Sequence, residues 1–257
     1  MPDVDPSSVV RFGDFELPYR RALLMRATGP TVVVADLEDD FHRFRVTLRH
    51  SDGTVERVEG EALRYPWTTC VDAIAPLHEL DGTELTPRMA ACARHANPRA
   101  NCTHLFDLAG LAIAHAARGG ERRRYDIDLS PRVDTRSVAR LRRDDAALLE
   151  WHLVDGTLVD PSPYTEGPWR GGFLRWADAT FEPDEAEAAI VLRRACDIGL
   201  GRGMDLESYD TASELLALTE GACYTMRTGI AENARRVRGT IRDFGATPEA
   251  LLDDVDP

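Results

Sequence analysis

The sequence predicts an α+β fold made of two similar halves, each an antiparallel sheet with helices packed on it. Strand-like segments occur in both halves of the chain, and each half contains an Asp-Gly pair, which is typical of a tight hairpin turn. A segment with apolar residues at helical spacing follows each set of strands. Gly119-Gly120 is the predicted junction, so the halves comprise residues 1–118 and 119–257.

The N-terminal half is predicted to begin as a loop and to continue as three strands. Proline and glycine interrupt the first 25 residues, which we expect to wrap over the protein as a loop. Residues 31–36 are rich in β-branched side chains and favour a strand. Residues 43–49 alternate between apolar and polar side chains, which indicates a strand with one buried face. Asp52-Gly53 then predicts a hairpin into a third strand.

Three helical segments are predicted to follow these strands. The first carries Cys70 and ends near Asp81-Gly82, and the second begins at Pro87. Asn101 is a plausible N-cap for the third, because its side-chain oxygen can accept a backbone N–H of the first turn.

The C-terminal half repeats this order loosely. Strands are predicted at residues 125–129, around 138–141, and at 148–154, where Asp155-Gly156 begins a second hairpin. A helix is predicted from about residue 184 to 197. The shared Asp-Gly-Thr turns are compatible with an ancient duplication, but we prefer the explanation that this turn is common in general.

Composition excludes several classes of function. The net charge is −13, which disfavours nucleic acid because phosphate binding requires a basic surface. All 31 basic residues are arginine, so Schiff-base and pyridoxal-phosphate chemistry and P-loop nucleotide binding lack their lysine. No Gly-x-Gly-x-x-Gly motif is present either. We therefore expect no cofactor.

The cysteine content and the hydropathy pattern predict a cytoplasmic protein. Five scattered cysteines are unlike a secreted disulfide framework. No run of 18 apolar residues exists, and the N-terminus lacks the features of a signal peptide. The expected partner is a small-molecule substrate, neither a membrane nor nucleic acid, and homo-oligomerisation is left open.

The segment Asn101–Leu108 places a thiol, an imidazole and a carboxylate on the first two turns of one helix. Cys102 lies at the positive end of the helix dipole, where a thiolate is favoured, so we expect its pKa to be lowered. Cys102 or Cys70 is then a candidate nucleophile, with His42 or His104 as its base.

A second group of polar residues surrounds the predicted second strand. Asp39 and His42 form a candidate acid–base pair, since imidazole and carboxylate together move protons near neutral pH. Arg64 is a candidate clamp for a carboxylate or a phenolate. The full candidate set of this half comprises Asp36, Asp39, His42, Arg64, Cys70, Cys102, His104 and Asp107.

A metal site is the main alternative for the same residues. Cys70, Cys102 and His104, together with His42, offer ligands suited to zinc. The usual zinc spacings are absent, and two helical residues that are two positions apart point in different directions. We therefore predict no metal.

The C-terminal half contributes an aromatic stretch from Tyr164 to Trp176. Tyr164 and Trp169 are candidate residues for binding a planar ligand, because aromatic rings stack on one another. Core filling is the alternative, and we prefer it for Phe173 and Trp176.

Three motifs resemble a bacterial domain-of-unknown-function family with a Cys-Thr-His-Leu signature. They are Asp39-Asp40-Phe41-His42, the segment from Arg64 to Cys70, and Cys102-Thr103-His104-Leu105 with Leu108. The resemblance covers residues 30–118, and the segment from Gly221 to Phe244 is similar to a longer subgroup. Similarity to this subgroup implies a role in the breakdown of aromatic, lignin-type compounds by decarboxylation or other C–C cleavage without a recognised cofactor.

We therefore predict a cofactor-independent lyase that decarboxylates or deformylates a small aromatic compound by acid–base catalysis. The alternatives are a metal-binding or cluster-scaffold protein and a non-catalytic module that binds aromatic ligands. The predicted catalytic residues are His42, Asp39, Arg64, Cys102 and His104, and the predicted substrate-binding residues are Arg64, Trp67, Cys70, Tyr164 and Trp169.

Overall fold

One antiparallel sheet dominates the structure. The computed structural model describes residues 13–255. Its strands are β1 (Tyr19–Gly29), β2 (Val32–Asp39), β3 (Arg43–Ser51), β4 (Thr54–Arg64), β5 (Arg122–Leu129), β6 (Arg136–Arg143), β7 (Ala146–Val154) and β8 (Thr157–Asp160). Their order across the sheet is β4-β3-β2-β1-β5-β6-β7-β8. The α+β class is confirmed.

The expectation of a separate sheet in each half is wrong, because β1 joins the two sets of strands. It pairs with β2 on one side and with β5 on the other, from Tyr19 opposite Leu129 to Arg26 opposite Arg122. The duplication of the halves stays a prediction.

The strand β1 also corrects the predicted N-terminal loop. Leu23 and Met25 are buried on one face of the sheet, and Ala22 and Leu24 are buried on the other. A strand that is covered on both faces lacks the apolar–polar alternation that identifies a half-exposed strand. Residues 1–12 of the predicted loop lie outside the described residues.

Both predicted hairpins are confirmed. Asp52 and Gly53 join β3 to β4 with φ angles of 49° and 78°, and Asp155 and Gly156 join β7 to β8 with φ angles of 49° and 67°. This left-handed conformation suits Asp and Gly, which is why the pair marks such turns.

Helices pack on one face of the sheet. They are α1 (Thr103–Arg118), α2 (Phe173–Thr180), α3 (Pro183–Gly199) and α4 (Leu216–Thr219), and the longest 3₁₀ helices are Thr68–Leu80 and Met89–Arg94. Within the sheet, α1 contacts chiefly β2 and β3, and α3 contacts chiefly β5, β6 and β7, while α2 packs on α3. Side chains of both helices belong to one hydrophobic core with Leu23, Leu37 and Ile127 of the sheet. Among the described residues, no helix combines the length and the apolar character needed to cross a bilayer.

The start of α1 differs from the prediction by one residue. Cys102, rather than Asn101, occupies the N-cap position, and its side chain makes no capping hydrogen bond. Asn101 is fully buried and donates from Nδ2 to the carbonyl of Asn97 at 3.0 Å. The first turn of α1 therefore begins against buried surroundings.

The C-terminal segment covers part of the opposite face of the sheet. Phe244, Leu251 and Leu252 pack there against Ala22 and Leu24 of β1. This leaves the helix-covered face, at the end of β2 and the start of α1, to form the site described next.

Candidate active site

The turn between β2 and β3 is built around the carboxylate of Asp39. The backbone N–H of Asp39 donates to the His42 carbonyl at 2.9 Å, and Oδ1 of Asp39 accepts the N–H groups of Phe41 and His42 at 2.8 Å each. The same Oδ1 lies 3.0 Å from Nδ1 of His42. One carboxylate oxygen therefore fixes both the turn and the orientation of the imidazole.

The second oxygen of Asp39 is held by strand β1. Arg21 stands directly opposite Asp39 in the β1–β2 register. Its guanidinium donates to Oδ2 of Asp39 through Nε at 3.0 Å and also through Nη2, and the Tyr19 hydroxyl donates to Oδ2 at 2.8 Å. Burial alone would raise the pKa of Asp39, but the charges and hydrogen bonds of His42 and Arg21 outweigh it and hold the pKa well below its usual value.

His104 lies on the other side of the Arg21 guanidinium. Nη2 of Arg21 is 2.9 Å from Nε2 of His104. An arginine can only donate, so Nε2 accepts and the His104 proton resides on Nδ1. Burial, together with the charges of His42 and Arg21, lowers the pKa of His104 well below its usual value. His104 is therefore a neutral imidazole whose Nε2 lone pair is occupied.

The two imidazoles stack on each other. The ring centroids of His42 and His104 are 4.0 Å apart at an interplanar angle of 32°, and Phe44 stacks near both rings. Nδ1 of His42 faces Asp39, and its Nε2 has no hydrogen-bond partner among residues 13–255. The His42 ring also lines a cavity. His42 is thus oriented by a carboxylate and has one nitrogen free to exchange a proton.

The cavity has a volume of about 420 Å³, which suits a small molecule. It lies between the start of α1, the helix α3 and the segment from residue 200 to 226. Its wall is mostly apolar and aromatic, and includes Phe41, Phe44, Trp67, Trp169, Leu206, Leu215 and Met226.

Six predicted site residues line this cavity: His42, Trp67, Cys70, Cys102, His104 and Trp169. The sequence predicts one cleft shared by His42, Arg64, Cys102 and His104, and all of these except Arg64 line this cavity. The catalytic roles of these residues stay a prediction. Asp39 is fully buried and does not line the cavity, but it contacts His42, which does.

Arg64 does not have the position that a substrate clamp requires. Its guanidinium donates to the backbone carbonyls of Asp39, Asp40, His42 and Thr240 at 2.7 to 3.1 Å, and to the Glu38 carboxylate at 3.1 Å. It is not among the residues that line the cavity. These contacts engage both terminal nitrogens, so Arg64 braces the β2–β3 turn from behind.

Tyr164 and Asp36 also lie away from the cavity. The Tyr164 hydroxyl donates to Glu185 at 3.0 Å, and its ring packs 5.2 Å from Trp151 and 5.1 Å from Phe181. Tyr164 therefore belongs to the aromatic core of the C-terminal half. Asp36 pairs with Arg26, Arg43 and Arg45, because the even-numbered residues of β2 point to the face of the sheet opposite the helices.

The predicted thiolate character of Cys102 is wrong. Burial raises the pKa of its thiol well above the usual value, and the neighbouring Cys223 and Cys70 raise it further. Burial likewise raises the pKa of Cys70 to about 12. The helix terminus is close to Cys102, but loss of hydration in an apolar wall outweighs it. Both cysteines are neutral thiols near pH 7.

One group of possible metal ligands occurs in the described part of the chain. Ligand atoms of Asp39, His42 and His104 all lie within 4.8 Å of one another. His42 and His104 belong to the predicted ligand set, but Asp39 stands in this group where Cys70 and Cys102 were predicted. Both oxygens of Asp39 and Nε2 of His104 already accept hydrogen bonds, and the Arg21 cation lies between them. The donor set therefore fits a proton-transfer site better than a cation site.

Sequence reasoning missed Tyr19, Arg21 and Arg194. Tyr19, Arg21, Leu23 and Met25 are alternate residues of β1 and therefore point to the same buried face of the sheet. An arginine on a buried face is unusual, and it could have indicated a functional site. Arg194 carries no comparable signal, because an Arg-Arg pair in a helix usually lies in solvent.

Comparisons with protein-family models, with curated proteins and with solved structures found no match. The resemblance to the Cys-Thr-His-Leu family therefore stays a prediction that rests on its three motifs.

Proposed function

We propose that this chain is an enzyme in which His42 transfers a proton to or from a small aromatic substrate. One observation carries the proposal: Asp39 orients His42 through Nδ1, Nε2 has no hydrogen-bond partner among the described residues, and His42 lines the cavity. This is the arrangement in which an imidazole serves as a general acid or base. Asp39 is the positioning residue, and Arg21 and Tyr19 hold it in place.

The cavity supports an aromatic substrate. Trp67 and Trp169 present indole rings to it, and Phe41 and Phe44 extend the aromatic surface towards His42. Aromatic side chains favour offset or edge contacts with a planar ligand. The family resemblance adds the narrower expectation of a lignin-type compound.

The reaction that we assign is a lyase step without a cofactor, either decarboxylation or deformylation. In decarboxylation the C–CO₂⁻ bond breaks, its electron pair stays on the substrate carbon, and protonated His42 delivers a proton to that carbon. His42 then regains a proton from solvent. The step needs a proton donor and a stable geometry, and the Asp39–His42 pair supplies both.

The experiment is a substrate screen with a matched pair of variants. Aromatic carboxylic acids and aldehydes are incubated with the protein in D₂O, and released CO₂ or formate is measured together with deuterium in the product. We expect turnover with deuterium incorporation, a loss of roughly 10²–10⁴-fold in His42→Gln, and no loss in His152→Gln, which alters a half-exposed histidine on β7. Turnover that survives in folded His42→Gln would refute the assignment, and binding without turnover would favour the non-catalytic module.

A metal centre is the second candidate, favoured by the closeness of Asp39, His42 and His104. It predicts stoichiometric metal in protein purified without a histidine tag, and loss of turnover on chelation. We expect activity to survive chelation, because hydrogen bonds already occupy the Asp39 oxygens and Nε2 of His104.

A further inference from the structure

An arginine of α3 has an unused donor in the cavity wall. Arg194 donates through Nε to Oδ2 of Asp107 at 2.7 Å and through Nη2 to Oδ1 at 3.4 Å. Its third nitrogen, Nη1, has no partner among the described residues, while the side chain lines the cavity and is 22% exposed. Asp107 therefore holds the guanidinium rigidly and leaves one N–H edge available.

Of the three other arginines of the same wall, Arg170 is exposed and the other two are engaged by protein groups. Arg193 donates through Nε and Nη2 to the Trp169 carbonyl and pairs with Asp197. Arg236 donates to the Pro66 carbonyl and to Glu207. Arg194 differs from them because its remaining nitrogen lacks an acceptor from the described protein.

The position of Arg194 relative to His42 follows from the helix α1. Asp107 comes three residues after His104, so the two side chains lie on the same face of α1, roughly 5–6 Å apart. Arg194 is anchored on Asp107, and His42 stacks on His104. Arg194 and His42 therefore both contact side chains of the first two turns of α1, and both line the aromatic cavity.

We propose that Arg194 binds a carboxylate of the substrate at a subsite separate from His42. This proposal rests on the function proposed above and specifies its substrate as a small aromatic carboxylate. A guanidinium edge is a natural partner for a carboxylate oxygen. Because the subsite is displaced from His42, the carboxylate held by Arg194 orients the ring and is retained in the product. A substrate that is decarboxylated carries its leaving carboxylate elsewhere on the ring, next to His42.

The test compares benzoate with benzamide, which have almost the same shape and differ in charge. Binding is measured by calorimetry and by the fluorescence of Trp67 and Trp169. For the wild type we expect benzoate to bind at least tenfold more tightly than benzamide, since hydrogen bonds to charged groups are the stronger ones. In Arg194→Gln this preference should fall about tenfold or more, with benzamide binding unchanged. The control Arg136→Gln changes an exposed arginine of β6 and should retain the preference.

Arg194→Gln leaves the Asp107 carboxylate buried without its cation, which could impair folding. A second variant therefore controls for this effect. Asp107→Asn/Arg194→Gln replaces the ion pair with two amides and should show the same loss of preference. An equal or undetectable affinity of the wild type for both probes would overturn the proposal, as would full preference in either folded variant. If the preference is absent but His42→Gln still abolishes turnover, only this inference fails. If the preference is present but His42 is dispensable, the proposed reaction fails.

Discussion

Replacing Arg21 with methionine isolates the buried charge pair beneath His42. Arg21 is 2% exposed and Asp39 is fully buried. The methionine keeps much of the side-chain volume but removes every donor, so Asp39 loses its Nε and Nη2 partners and His104 loses the donor to its Nε2. The Asp39 charge then remains in the protein interior without a permanent cation.

The expected loss of stability is large. Removing one partner of a buried ion pair costs roughly 3–5 kcal/mol, because the other charge stays desolvated. For a chain of 257 residues, each kcal/mol corresponds to a change in Tm of about 2 °C, so we expect a fall of about 6–10 °C. Arg136→Met, at an exposed position of β6, should change the free energy of unfolding by less than about 0.5 kcal/mol.

The pH dependence distinguishes a lost charge pair from a general packing defect. The low pKa of native Asp39 stabilises the fold above the unfolded pKa of about 4, and this contribution is lost as the pH falls through the native value. In Arg21→Met the pKa of Asp39 rises, so the variant takes up a proton more readily in acid. The difference in unfolding free energy should therefore be largest at pH 7 and should narrow towards pH 4. A difference below 1 kcal/mol at pH 7, measured by urea unfolding, would refute the reasoning.

Further predictions concern three other buried positions. Burial raises the pKa of Asp40 to about 7. The unfolding free energy of the wild type, relative to that of Asp40→Asn, should therefore be greatest near pH 4 and decline by roughly 4 kcal/mol as the pH rises through 7. Unfolding at a series of pH values measures this decline. A Cβ on Gly110 would lie 2.6 Å from the Met89 carbonyl oxygen, so Gly110→Ala should destabilise the protein by about 1–3 kcal/mol in thermal unfolding, and an unchanged Tm would contradict this close contact. Cys102→Ser should retain activity within a few fold, because the native thiol is not ionised near pH 7; a folded but inactive variant would show that the thiol takes part in the reaction.

Local patterns made most of the sheet predictable. The alternation within β3 and the two Asp-Gly turns are properties of neighbouring residues, and the structure contains both. The strand β1 was missed because it lacks apolar–polar alternation. Both of its faces are buried, one under the helices and the other under Phe244, Leu251 and Leu252. That coverage comes from segments far along the chain, which local periodicity does not reveal.

The candidate site likewise contains local contacts, which the sequence predicts, and long-range contacts, which it does not. Asp39 and His42 are three residues apart in one turn, so their pairing could be predicted from the sequence. Arg21 meets His104 across 83 positions, and nothing near either residue indicates the contact. Arg64 shows a further limit: the sequence supplies a guanidinium, but only the structure shows that backbone carbonyls occupy its donors.

The charge balance of the site leads to a last prediction. Asp39 offsets the charge of Arg21, and burial keeps His104 neutral, so a proton on His42 gives this buried group a net positive charge. Protonated His42 then adds one positive charge at the cavity wall, and an anionic ligand there offsets it. We therefore expect the binding of benzoate to favour the protonated form of His42 and to be accompanied by proton uptake, whereas the binding of benzamide should not be. Calorimetry in buffers of different ionisation enthalpy measures this uptake, and His42→Gln should abolish it while His152→Gln retains it. Equal uptake in the wild type and His42→Gln would show that another group responds to the ligand and that His42 is not the proton carrier of the cavity.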